Sequence, residues 1–268
     1  MIGNFEANRL LWVLTGILAL AAALAGLLVP GIYAKVVGAD FLPGVFAQDI
    51  INLVAAVVIL WLCFGGIKEG HLRKQLVVLS GVGYLAYSYG VYVIERYYTI
   101  LYLLYLAVLG LAFYAIVYAV SSLRRELFPH LGVPLAIRNL SLGLLWLTPA
   151  VLYPLWLRDL WPLIQSGRKI EFFYATYILD LCFVLPLFVI LGLAAFKNKG
   201  LGLLMTPVLF LTGFALLLPG TLAEIFKALR GIPVDLVVMG PFAVLGAAYL
   251  LMGLWYLRNL RLSWQKAQ

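Results

Sequence analysis

The 268-residue chain is 65% hydrophobic and only 11% charged, with a mean hydropathy of +1.06 and a formal charge of +8. Soluble domains hold roughly 45 to 50% apolar and about 25% charged residues, so a soluble globular domain is excluded. The positive charge is spread over the connections between apolar runs, which makes it an orienting device and excludes nucleic acid as a partner.

A helix needs about 20 apolar residues to cross a hydrocarbon core of roughly 30 Å. Eight charge-poor stretches of that size follow one another, at 10–33, 46–66, 75–94, 98–121, 138–157, 172–196, 201–219 and 235–257. They are continuous and leucine-rich, whereas barrel strands are short and alternate. The predicted fold class is therefore all-α: an integral membrane helical bundle in contact with the lipid bilayer. The first run exceeds the roughly 7 to 15 apolar residues of a secretory signal, and only Arg9 precedes it, so it is expected to be retained as a span.

The second stretch carries Asp49 near its start, with Asn52 one turn further on and placed to extend its hydrogen bonding. An ionisable group at membrane depth is costly and is by default a functional candidate. The alternative is that Asp49 anchors the positive end of its helix. The third stretch ends in YLAYSYGVYVIERYY, and if the helix continues, Tyr84, Tyr87, Glu95 and Tyr98 share one face. The fourth stretch adds Tyr102 and Tyr105 on the returning helix. An interfacial aromatic belt explains Tyr97 and Tyr98 but not Tyr84 and Tyr87, which lie two to three turns deeper.

Segment 122–137 is polar, carries prolines and separates two halves, 1–121 and 138–268. The second half repeats the pattern of the first. QDIINLVAAVVILWL at 48–62 is answered by LDLCFVLPLFVILGL at 179–193, each followed by a short basic loop closing on glycine and a helix bearing Gly83 or Gly213. This reads as two parallel four-helix repeats, the alternative being chance likeness between leucine-rich helices. Asp180 then matches Asp49 in depth, and Pro186 is expected to free the carbonyl of Cys182 nearby. Segment 219–233 has Leu222, Ile225, Phe226 and Leu229 at helical spacing opposite Glu224, Lys227 and Arg230, and reads as a short amphipathic helix in the interface.

With eight spans, twelve of the nineteen Lys and Arg residues fall on the side holding both termini, and eight of the eleven Asp and Glu residues fall on the other. Both termini are predicted in the cytoplasm, beneath a plasma membrane. The two cysteines, Cys63 and Cys182, sit in separate spans and are read as small hydrophobes. Both histidines, His71 and His130, lie in connections, no lysine lies mid-span, and no P-loop, HExxH or CxxC occurs. No catalytic residue, metal site or cofactor is therefore expected.

The pattern AQDIINL, the basic loop ending in glycine, the segment GYLAYSYGVYVIERYYTILYLLYLA and the later YILDLCFVLPL resemble a broad group of multi-spanning bacterial and archaeal membrane proteins of unknown function. The resemblance rests on Asp49, Tyr84, Tyr87, Tyr102, Asp180 and Pro186, and implies the architecture without an activity.

The predicted ligand-binding set is Asp49, Asp180, Tyr84, Tyr87, Asn52, Glu95 and Tyr102. Carboxylates among aromatic faces suit a small cationic or proton-coupled solute entering an outward-facing pocket. The competing readings are a non-catalytic membrane subunit or sensor that docks a membrane-protein partner or another copy of itself, and a lipid-modifying enzyme.

Overall fold

The computed structural model describes residues 2–170, 173–229 and 231–262, so Glu171, Arg230 and Lys266, which enter the charge count, lie outside the described residues. The chain is all-α, and eight helical segments among the described residues are long and apolar enough to span a membrane. It is a multi-pass membrane protein. The reason is the one that drives every membrane helix: without water, backbone N–H and C=O groups must be paired within the segment itself.

The helices are α1 Phe5–Leu28, α2 Leu42–Phe64, α3 Leu72–Ile94, α4 Tyr102–Ser121, α5 Leu135–Ser166, α6 Tyr174–Leu179, α7 Leu185–Phe196, α8 Gly200–Leu229 and α9 Leu236–Asn259. A π-turn at Asp180–Val184 joins α6 to α7, so that these two make one span. Two compact units share the chain: Met1–Leu123 with Phe210–Leu251, and Arg124–Leu209 with Met252–Gln268.

In the first unit, α1 to α4 run alternately up and down, with α1 on α2, α2 on α3, α3 on α4 and α4 back on α1. Small residues make the close approach possible. Beyond Asn8 and Trp12, the buried face of α1 is Thr15, Gly16, Ala19, Ala22, Ala23 and Gly26, and that of α4 includes Ala112, Ala115 and Ala119. Lipid-exposed helices gain little from hydrophobic contact with one another, so close van der Waals packing through small residues carries the association. The N-terminus is stitched to the end of α4, where Gly3 N donates to Ser122 O at 2.7 Å and Asn8 Nδ2 donates to Ser122 Oγ at 3.0 Å. On α8, Thr212 Oγ1 donates to Ser80 O at 3.0 Å, and Phe210 stacks on Tyr249 of α9.

Helix ends follow local rules. α2 stops where Gly66 adopts φ +81°, and Ile67 N reaches back to Leu62 O. α3 stops in the same motif built on Arg96 at φ +59°, with Tyr97 N bonded to Tyr92 O and Arg96 N to Val93 O. Such a left-handed residue closes the last carbonyls of a helix. In the second unit α7 ends likewise on Asn198, with Lys199 N bonded to Ala194 O.

Two elements differ from the sequence expectations. α5 continues nine residues past the apolar run expected to end at 157, through the exposed Arg158–Asp159 pair to Ser166. Segment 219–233 is not a separate interfacial helix: α8 runs unbroken through Pro219 to Leu229. A proline costs a membrane helix one backbone hydrogen bond, which neighbouring helices readily offset. The carboxylate of Glu224 then closes the turn that follows, accepting Lys227 Nζ at 2.6 Å and Asp235 N at 2.9 Å.

Candidate functional site

Asp49 lies on the eighth residue of α2, about 10 Å along the helix from its start, and is 1% exposed. Three neighbouring elements bring hydroxyls towards it. Tyr33, in the link between α1 and α2, donates to Oδ2 at 2.6 Å. Tyr92 of α3 donates to Oδ1 at 2.9 Å, and its hydroxyl also lies 3.4 Å from Val45 O. Tyr105 of α4 places its hydroxyl 3.3 Å from that of Tyr33.

The fourth element, α1, contributes space. A β-carbon at Gly26 would overlap Asp49 Oδ2 and the Tyr33 hydroxyl. Only a residue without a side chain lets the carboxylate lie against that helix. No Lys, Arg or His pairs with Asp49 among the described residues, so two phenols do the work that an ion pair would ordinarily do. Burial, and then the Asp49 carboxylate beside it, push the Tyr33 phenol well above its ordinary value. Tyr33 therefore remains a neutral hydrogen-bond donor.

The rings form a contiguous aromatic wall. Tyr92 sits 5.1 Å from Tyr105, 5.2 Å from Tyr97 and 5.6 Å from Tyr89, and Tyr33 lies 6.3 Å from Tyr92. These are edge and tilted contacts of the kind aromatic pairs favour. On either side of Asp49 along α2, Gln48 Nε2 donates to Ser88 Oγ at 2.8 Å and Ser88 Oγ donates to Asn52 Oδ1 at 2.6 Å. Asn52 is a third polar neighbour of Asp49, but its buried Nδ2 completes no hydrogen bond. Such an orphaned donor is uncommon in a folded interior.

The predicted residues divide between and around this cluster. Asp49 and Asn52 are at its centre. Tyr84 is buried on its margin, its hydroxyl 3.4 Å from Gln48 O. Tyr87 is half-buried and stands about 100° round α3 from Ser88. Glu95 is buried at the end of α3, and Tyr102 gives its hydroxyl to Val93 O at 3.1 Å. The face that meets Asp49 is Tyr84, Ser88 and Tyr92, at intervals of four. The interval of three that links Tyr84 to Tyr87 leads elsewhere, and Tyr98, past the end of α3, is 64% exposed.

Asp180 belongs to the second unit and has different company. It is 8% exposed at the start of the π-turn, and Trp156 Nε1 of α5 donates to its Oδ2 at 2.9 Å. Tyr177 meets the Trp156 ring edge-on at 5.4 Å. The π-turn ends at Val184, two residues before Pro186, with Leu185 N bonded to Asp180 O, so the ladder is already re-registered where the proline removes a donor. π-turns of this kind are frequent at functional sites.

The predicted set omits Tyr33, Tyr92, Gln48, Ser88 and Trp156, and also Tyr105, which the sequence offered only as part of the tyrosine lining of the fourth stretch. For α3 a signal existed, the polar series 84, 88, 92. For Tyr33, in a connection, there was none. Among the described residues no three His, Cys, Asp or Glu side chains gather as metal ligands. Compared with protein-family models, with curated proteins and with solved structures, the chain finds no match.

Proposed function

We propose that this multi-pass protein resides in the plasma membrane with both termini in the cytoplasm and binds a small cationic or proton-coupled solute at Asp49, as a transporter or a receptor. One observation carries the reading: a fully buried carboxylate held by phenolic hydroxyls with no cation paired to it. Taking a carboxylate out of water is costly unless a positive charge accompanies it. A site that lacks a resident cation is completed by one that arrives. The orphaned Nδ2 of Asn52 supports a centre whose hydrogen bonding changes with occupancy. The enclosure of Asp49 is that of an occluded state, and entry requires the connection bearing Tyr33 to move.

The two halves, 1–121 and 138–268 about the 122–137 connection, fit a duplication in this reading. Its support is that α2 and α7 each follow an aspartate with the same left-handed helix ending. A second reading, a membrane subunit that docks a protein partner, draws on α9, where only 17% of the most apolar stretch is buried against 56% for α3.

The test is carbodiimide labelling of the reconstituted protein, located by mass spectrometry of the Asp49 peptide. Labelling that falls with sodium, potassium or tetramethylammonium salts, or with rising pH, supports an Asp49 site and identifies the class of its ligand. Labelling indifferent to all of these overturns it.

A further inference from the structure

The Asp49 cluster contains a directed chain of hydroxyls. Thr99 lies in the connection between α3 and α4, where it is half-exposed. Its Oγ1 accepts Leu101 N at 3.1 Å and donates to the Tyr105 hydroxyl at 3.3 Å. Tyr105 lies 3.3 Å from the Tyr33 hydroxyl, and Tyr33 donates to Asp49 Oδ2 at 2.6 Å. Because Tyr33 spends its hydrogen on the carboxylate, Tyr105 must be the donor between the two phenols. Leu101 N fixes the Thr99 hydroxyl in the same sense. Every hydrogen in the chain therefore points from the connection towards Asp49.

We infer that Thr99, Tyr105 and Tyr33 are the proton-access path to Asp49, and that the proton is the ligand this site takes. The inference deepens the function proposed above and rests on it. In the transfer Tyr33 passes its hydroxyl hydrogen to Oδ2 and receives one from Tyr105, Tyr105 receives one from Thr99, and Thr99 receives one from hydronium at the surface, which is left as water. One proton enters, each hydroxyl keeps one hydrogen, and the carboxylate becomes a neutral acid. The two 3.3 Å links are longer than the usual O–H···O range, so the path conducts as they shorten.

The surroundings favour a proton over an organic cation. Among the described residues, the titratable groups that interact with Asp49 are phenols: Tyr33 from the α1–α2 link, Tyr84, Tyr89 and Tyr92 from α3 and Tyr105 from α4, while α1 presents Gly26. The rings pack edge to face against one another, Tyr92 and Tyr105 at 5.1 Å between centroids. A proton alone needs no extra volume.

The experiment is infrared spectroscopy of the full chain in liposomes. The Asp49 acid band is identified by its loss in Asp49→Asn, and its rate of shift is followed after exchange from H2O to D2O. Thr99→Val and Tyr105→Phe each remove one link and are expected to slow the shift on the order of tenfold. Tyr98→Phe, which removes an exposed phenol from the same connection, is expected to leave the rate as it is. An unaltered rate in Thr99→Val or Tyr105→Phe, or equal slowing in all three, overturns the path; if Tyr105→Phe does not fold, Thr99→Val decides alone. Should no band in the folded pH range depend on Asp49, the protonation of that residue is itself refuted, a different result from a band whose exchange ignores the chain.

Discussion

Gly26 of α1 and Asp49 of α2 touch so closely that a β-carbon on the first would occupy the place of the carboxylate oxygen of the second. The contact also involves the Tyr33 hydroxyl, so one added methyl meets two oxygens that hydrogen-bond to each other. Overpacking of this kind costs about 1 to 3 kcal/mol. Gly26→Ala is expected to lower the thermal unfolding midpoint in detergent. Gly44→Ala, in the same unit with open space around the site, gives the comparison and is expected to be neutral or slightly stabilising.

The charge on Asp49 and its capacity to accept hydrogen bonds make separable contributions. Asp49→Asn removes the charge and keeps an acceptor for one of the two phenols. It is expected to be no less stable than the unaltered protein while abolishing the response of the site to cations or pH. Asp49→Leu leaves both the Tyr33 and Tyr92 hydroxyls with only their longer partners at 3.3 and 3.4 Å. Each weakened buried group costs about 1 to 3 kcal/mol, so the leucine variant is expected to unfold earlier. Chemical denaturation of the two variants side by side checks the order.

Alkaline stability should report on Tyr33. In the unfolded chain its phenol releases a proton near the ordinary value of about 10, whereas in the folded protein burial and the Asp49 carboxylate hold that proton to higher pH. The folded-state value is raised, so the contribution is complete below about 10 and is lost as pH rises from there towards the folded value. Tyr33→Phe is expected to flatten the alkaline decline of the unfolding midpoint. A decline just as steep in that variant would show that Tyr33 does not contribute to it.

At the far end of α8, Glu224 accepts both Lys227 Nζ and the backbone N of Asp235, tying the helix to the start of α9. Glu224→Ala removes the acceptor of both Lys227 Nζ and the Asp235 N–H, at a cost of about 0.5 to 1.5 kcal/mol because water reaches the exposed Asp235. Glu224→Gln keeps an oxygen for the amide and loses mainly the ion pair. Limited proteolysis near residues 229 to 235 is expected to be accelerated in the alanine variant and little changed in the glutamine variant.

Span by span, the architecture was legible before any coordinates. An apolar run of about 20 residues has few alternatives in a bilayer, and α2, α3 and the span formed by α6 and α7 lie within a few residues of the runs at 46–66, 75–94 and 172–196. The misjudged ends have a common cause. At Arg158 and at Pro219 the helix runs on through residues that end an apolar run or remove a backbone donor, because a helix, unlike an apolar run, need not stop at either.

The candidate centre was legible by half. Asp49 and Asn52 stand out because polar groups at membrane depth are costly, and that cost is a property of residue type and position along one helix. The partners of Asp49 depend on how three other elements are rotated about their own axes. Tyr87 and Tyr92 are indistinguishable as letters in a tyrosine-rich stretch, yet a turn of about 100° per residue sends only one towards α2.

Sequence by itself determined that this chain is a bundle of membrane helices and that a carboxylate is buried near one end of the second, since hydrophobic length and charge cost act locally. Tertiary structure alone decided that the carboxylate is enclosed by Tyr33, Tyr92 and Tyr105 and admitted by Gly26. Those contacts join residues up to 72 positions apart, and their geometry is set by helix packing, which no local pattern encodes.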